Sequence, residues 1–286
     1  MDGQASGGLA ERAMPVLEHD AGRPCRRQRA IADLTTGFAR WRLAWALAWL
    51  DIRHRYRGSV LGPFWLTIST GAMVAGLGFI YSRLFRVEPA DYLPHLAVSL
   101  VTWNLISLTV QDATGSLNSA GRMIRQLPMP FTVHALRAVL RNAIVSLHNA
   151  PLILAVFLLL GHAPGPEALL LPLGIALILV NAFAATMLLG MLCARFRDIG
   201  QIVASVMQFG FFMTPVLWRP SQLSPELQPL LLLNPFYTVL ETVRGPLVEG
   251  GGPLAAWLAA LLYTALLVVA AAAFFVRFRG RIAYWV

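Results

Sequence analysis

Asn104, Gln111 and Asn118 recur every seven residues, with Ser107 and Gly115 on the same helical face. Gln201, Ser205, Gln208 and Phe212 follow an i, i+4, i+7, i+11 spacing that also gathers them on one face. Amides inside apolar runs have two uses. They can line a watery path, where they suit a neutral polyhydroxylated solute better than an ion, or they can hydrogen-bond between helices. His134, Arg137, Arg141 and His148, with Asn142 and Asn149 close by, form a second helical series. It reads either as a basic stripe for a phosphate-bearing lipid or as arginines snorkelling to the membrane surface. Asp112 is the one acid well inside an apolar run, a satisfied structural carboxylate whose partner the sequence does not name.

Some chemistry is excluded outright. All 23 basic residues are arginine. Without lysine there is no phosphate-binding loop of the G-x-x-x-x-G-K-[ST] type and no Schiff base. No nucleophile–base spacing or metal-ligand cluster is visible, so no catalytic or metal residues are expected, and ATP-driven work requires another polypeptide. The 286 residues are 57% hydrophobic and only 13% charged, too few charges to cover a soluble surface. The net charge of +9 sits in clusters between apolar segments, which argues against a nucleic-acid partner and for membrane topology. Cys25 and Cys193 are too few for a disulfide framework. The Arg-rich start has no apolar core, so no cleavable signal peptide is expected.

The elements that must position these residues are helices in lipid. Apolar runs at about 61–82, 95–117, 132–160, 168–193, 199–218 and 254–276 predict six transmembrane helices. Residues 1–34 read as a flexible cytoplasmic tail, and 35–286 as one membrane domain. The arginine bias places both termini in the cytoplasm. Residues 36–57, with Trp41, Trp45 and Trp49 among Arg53, Arg55, Tyr56 and Arg57, predict an amphipathic helix in the headgroup plane. Residues 119–131 predict a short cytoplasmic helix stopped by Pro128, whose apolar groups mark a protein contact. The stretch 219–252 is interrupted by prolines yet too apolar for a solvated loop. It predicts re-entrant external helices that bury Leu230 to Leu233, Phe236, Tyr237, Val239 and Leu240.

Asp51 to Trp65 (DIRHRYRGSVLGPFW), Arg195 to Val203, Thr214-Pro-Val-Leu-Trp218, Asn234-Pro-Phe-Tyr237 with Glu241 and Arg244-Gly-Pro-Leu247, and Arg279 to Trp285 together resemble ABC-2 type permeases. The resemblance covers about 36–286 and is nearest to the polysaccharide and polyol-phosphate exporters that secrete O-antigen or capsule. It implies an all-α polytopic protein of the bacterial inner membrane, working as a homodimer with two copies of a separate nucleotide-binding subunit. ATP and magnesium would sit on that partner and no cofactor on this chain. It further implies that Arg122, Met123, Ile124, Arg125, Gln126 and Leu127 couple to the ATPase. Tyr56, Trp65, Asn104, Gln111, Asn118, Gln208, Phe212 and Trp218 become candidates for lining a path for a lipid-linked polysaccharide. Asn234, Phe236, Tyr237, Glu241 and Arg244 would belong to a periplasmic gate.

Two other readings stay open at this level. One is an ABC-2 exporter of a small hydrophobic compound or drug. The other is an ion-coupled secondary transporter or lipid-modifying enzyme, supported only by scattered histidines and a single intramembrane acid.

Overall fold

The computed structural model describes residues 26–127 and 129–286, so the expectations for residues 1–25, Cys25 included, and for Pro128 lie outside the described residues. Among the described residues the chain is all α with short 3-10 turns and no strand. The helices are α1 (Arg26–Ala39), α2 (Trp41–Arg55), α3 (Phe64–Phe85), α4 (Pro89–Ser119), α5 (Gly121–Gln126) and α6 (Phe131–Leu147). They continue with α7 (Ala150–Leu160), α8 (Leu171–Arg195), α9 (Ile199–Met213), α10 (Pro235–Val248), α11 (Leu254–Phe278) and α12 (Ile282–Trp285).

Five stretches of the described residues are long and apolar enough to cross a membrane: Phe64–Phe85, Pro89–Gln126, Phe131–Leu160, Pro166–Arg195 and Leu254–Trp285. The fifth expected span, 199–218, is shorter than predicted. Helix α9 has 15 residues, about 22 Å of helix against a hydrocarbon core of about 30 Å. Pro215 is the cause: the residue before a proline is pushed out of the helical region, and Thr214 is extended at φ −91°, ψ 136°.

Helix α4 is the axis of the bundle. Pro94 to Trp103 are buried without interruption, the all-round burial of a central helix. Lipid tails are as apolar as leucine, so close packing and hydrogen bonds must hold such a bundle together. Glycines allow the closest approaches: a Cβ at Gly174 of α8 would lie 2.1 Å from the Thr242 carbonyl oxygen of α10. The span expected at 132–160 is interrupted at His148 and Asn149. Pro151, in the first turn of α7, cannot donate to the preceding turn. The Leu152 amide turns to the Asn149 carbonyl, and the His148 carbonyl it leaves accepts from the Thr67 hydroxyl at 2.7 Å.

Contacts order the helices head to tail. Gly78 of α3 meets Leu93, Gly190 of α8 meets Ser116 and Leu117, and Gly200 and Gly210 of α9 lie beside Thr114 and Trp103. Hence α3, α6 and α9 start at the end of the bundle where α5 lies, and α4, α8 and α11 finish there. Helices α1 and α12 share that end.

The boundary expected at residue 34 moves. Residues 26–34 are not tail but part of α1, which docks on the bundle through buried Ala30, Asp33 and Gly37. Asp33 Oδ1 accepts from the Thr132 amide (3.1 Å) and hydroxyl (2.9 Å), and its Oδ2 accepts from the Phe131 amide at 3.2 Å. Arg279 pairs with the same carboxylate at 2.8 Å. The N-terminus of α6, whose first amides have no intrahelical acceptor, is thus capped from a distant segment. The single helix expected at 36–57 is broken at Arg40 into the end of α1 and α2.

Candidate functional site

Helix α2 has the predicted character. Trp41, Trp45 and Trp49 are exposed, Arg53, Arg55 and Arg57 are exposed, and Ala44, Ala48 and Ile52 face inward. Tyr56 follows the helix, half-buried. Facing inward with Ile52 is Asp51, which organises the region. Its carboxylate accepts from Arg137 Nε at 2.7 Å, closes a second bond with Arg137 Nη2, and accepts from Arg141 Nη1 at 2.9 Å. Arg141 Nη2 donates to Asp112 of α4 at 2.8 Å, and Arg55 stands 3.9 Å from the same acid. Burial pushes the Asp51 carboxyl up, but the two guanidinium groups outweigh it and hold its pKa below the ordinary 3.8.

This arrangement corrects one expectation and completes another. Arg137 and Arg141 do not form an open basic stripe; each is paired with a carboxylate of a neighbouring helix. Asp112 has named partners, Arg141 and Arg55. The rest of that series also turns inward: His134, Asn142 and Asn149 are buried, and His148 Nδ1 lies 2.8 Å from the Ile144 carbonyl of its own helix.

The short helix predicted in 119–131 forms as α5. Arg122, Arg125, Gln126 and Leu127 are exposed, and Met123 and Ile124 are half-buried. Arg137 Nη1 reaches Met123 Sδ at 4.0 Å, so α5 touches the ion network. Arg125 Nη1 donates to the Val286 carbonyl at 3.1 Å.

The amide stripes divide. Asn104 Nδ2 donates to Thr70 Oγ1 of α3 at 3.3 Å, an interhelical bond. Asn118 Nδ2 lies 3.5 Å from the Cys193 carbonyl of α8 but the residue remains exposed, and Gln111 is exposed with Nε2 donating to Ser107 of its own helix at 2.7 Å. On α9, Gln201, Ser205 and Gln208 are exposed. Because α9 runs antiparallel along α4 between Thr114 and Trp103, the two stripes lie on adjacent helices. The aromatics scatter: Trp65 at 62% and Phe212 at 64% are exposed, and Trp218 Nε1 donates to the Phe212 carbonyl at 3.3 Å.

At the opposite end, Asn234 caps α10. Its Oδ1 accepts from the amides of Phe236 (2.9 Å) and Tyr237 (3.3 Å), and Nδ2 donates to Thr214 Oγ1 at 3.0 Å. With Pro235 at the first helical position, Asn234-Pro-Phe-Tyr237 is a helix-start motif tied to the end of α9. Phe236 packs edge-on against Trp103 at 5.7 Å. Glu241 and Arg244, expected in an external gate, are fully buried and paired with each other. Arg244 Nε also faces Glu249 at 3.2 Å, and His95 links Glu249 (3.2 Å) to the Trp218 carbonyl (3.3 Å). Tyr237, Val239 and Leu240 are buried as expected, but Leu230 and Leu233 are 57% and 71% exposed. Only Leu231 of their short 3-10 helix turns inward, because its i+3 repeat presents one narrow face to the bundle.

Residues 42–248 match the family described as "ABC-2 type transporter". The chain belongs to this family. Its relatives include "O-antigen export system permease protein RfbA" of Myxococcus xanthus, 25% identical over 228 residues, covering 78% of this chain and 86% of the relative. A protein of the same description from Klebsiella pneumoniae is 22% identical over 204 residues, covering 70% and 78%. This ABC-2 chain, with its several long apolar helices, is therefore a multi-pass membrane transport protein. Asp33, Asp51 and the His95–Glu249 pair escaped sequence reading, since each acid meets partners from far along the chain.

Proposed function

We propose that this ABC-2 permease is the transmembrane subunit of an ATP-driven exporter that carries a lipid-linked polysaccharide of O-antigen or capsular type across the bacterial inner membrane. The carrying observation is the exposed amide edge of α4 and α9, with Gln111, Asn118, Gln201, Ser205 and Gln208 beside the exposed apolar Ile202, Val206 and Phe209. The Gln201 and Gln208 amides have no hydrogen-bond partner among the described residues, and such an amide facing hydrocarbon costs roughly 2–7 kcal/mol. A second copy of the chain facing this edge would instead enclose a polar path, and amides match the hydroxyl groups of a sugar chain. The names of the relatives support the same substrate class.

In this reading the end bearing α1, α5 and α12 is cytoplasmic. Two copies of an ABC nucleotide-binding subunit, which hold ATP and magnesium, contact α5 and α2. Movement of α5 passes to α6, α2 and α4 through Arg137, Asp51, Arg141 and Asp112. At the periplasmic end α10, tied to α9 by Asn234 and Thr214, gates the exit.

Deleting the gene and measuring surface polysaccharide tests the assignment. Loss of surface polymer with intracellular accumulation of its lipid-linked form is expected, restored by the intact gene. Full surface polymer in the deletion strain would end the proposal.

A further inference from the structure

Between α1, α6, α8 and α11 lies a groove of about 470 Å³ lined by hydrocarbon, including Leu34, Phe38, Val139, Phe183, Ala272 and Phe275. It is separate from the amide edge of α4 and α9. Its α6 wall starts at Leu136, about 7 Å from the α5 end of that helix, and runs about 10 Å deeper to Ala143. The α6 wall is thus about 10 Å long, shorter than the roughly 15 Å of one leaflet. The volume is of the order of one long acyl chain.

The groove is overlain at that end by α1, and the charge there has one sign. From Arg26 to Leu50 the only acid is Asp33, which is buried and committed to Phe131, Thr132 and Arg279. Arg27, Arg29 and Arg40 are exposed and have no carboxylate partner among the described residues. Ile31, Phe38 and Trp41 are exposed beside them, a mixture of aromatic, aliphatic and arginine that belongs at headgroup level.

We propose that this groove holds one anionic phospholipid, its acyl chain between α6, α8 and α11 and its phosphate headgroup against the arginines of α1 and the start of α2. The bound lipid is a structural ligand that fixes α1. Because α1 supplies the cap of α6, the helix that leads away from α5, the lipid braces the end of the bundle where α5 lies. The inference does not depend on which polymer is exported.

The test uses the full chain purified in mild detergent and exposed to phosphatidylglycerol or phosphatidylcholine of identical acyl chains, with retained lipid read by native mass spectrometry. One phosphatidylglycerol retained in preference to phosphatidylcholine is expected. Arg27→Gln, Arg29→Gln and Arg40→Gln lie on the exposed surface, and each should weaken phosphatidylglycerol retention about fivefold. Ala272→Phe, which fills the groove from an exposed position, should abolish retention while leaving helical content unchanged. Equal retention of the two lipids would overturn the headgroup assignment. Undiminished retention by Ala272→Phe would overturn the groove.

Discussion

Arg141 of α6 donates to Asp112 of α4 over 2.8 Å, and with its other nitrogen it holds Asp51 of α2 at 2.9 Å. One guanidinium therefore fastens α2 to the helix that carries the amide edge. The side chains of Arg141, Asp51 and Asp112 are 16%, 17% and 21% exposed, so the pairing is only partly screened. Arg141→Gln should lower stability by about 2 kcal/mol, read by thermal unfolding in detergent. Asp51→Asn combined with Arg141→Gln should cost less than the sum of the single changes, as expected for groups that share one network. Strict additivity would mean that the two side chains do not act together.

The pH dependence of this network follows from the direction of the Asp51 shift. Its folded-state pKa lies below the ordinary value, so the stabilisation is present above that ordinary value and is lost as pH falls through the lower, folded one. The contribution of Asp51 should stay level from neutral pH down to the ordinary carboxylate range and collapse only below it. Comparing unfolding of the unmodified chain and Asp51→Asn across pH checks this. A difference that already shrinks between pH 7 and pH 5 would contradict it.

The amide edge separates two kinds of residue by their contacts. Asn104 is bonded to Thr70, so Asn104→Leu should cost about 1 kcal/mol of stability. Gln111 and Gln208 are exposed, and replacing both by leucine should leave stability unchanged or slightly raised while reducing polysaccharide export severalfold. Export assays in a complemented deletion strain, alongside unfolding curves, distinguish the two. Normal export by the double leucine variant would remove the polar path from these positions.

Much of this architecture is legible in the residues because lipid makes strong demands on composition. The long apolar runs, the Trp–Arg character of α2 and the short helix before the prolines at 128 and 130 can all be read from local sequence. What cannot be read is pairing across distance. Asp51 is one acid among arginines, and nothing near it points to Arg137; Asp33 looks like part of a polar tail until its carboxylate meets the amides of Phe131 and Thr132. Helix breaks fall between these cases. Pro215 and Pro151 are visible in the sequence, but whether a proline ends a helix or sits in its first turn depends on which neighbours satisfy the freed backbone, as Thr67 does for His148. The leucines at 230 and 233 show the converse limit: apolar character demands cover, but the cover need not come from the same chain.

The contact proposed between α5 and a nucleotide-binding subunit can be probed with one residue better than with two. Arg122 and Arg125 are both exposed, but Arg125 also donates to the Val286 carbonyl, so reversing its charge disturbs the packing of the C-terminal segment as well. Arg122 has no such bond among the described residues, and Arg122→Glu changes only what α5 presents outward. In the assembled transporter it should reduce export at least tenfold while leaving membrane insertion, helical content and thermal stability unchanged. Such a loss corresponds to about 1.4 kcal/mol or more, within reach of one reversed charge at a protein contact. ATPase rate and polymer export measured together on the same preparation separate the outcomes. Export lost with ATP hydrolysis retained, or with the partner subunit no longer co-purifying, places α5 in the coupling contact; normal export by Arg122→Glu removes it from there.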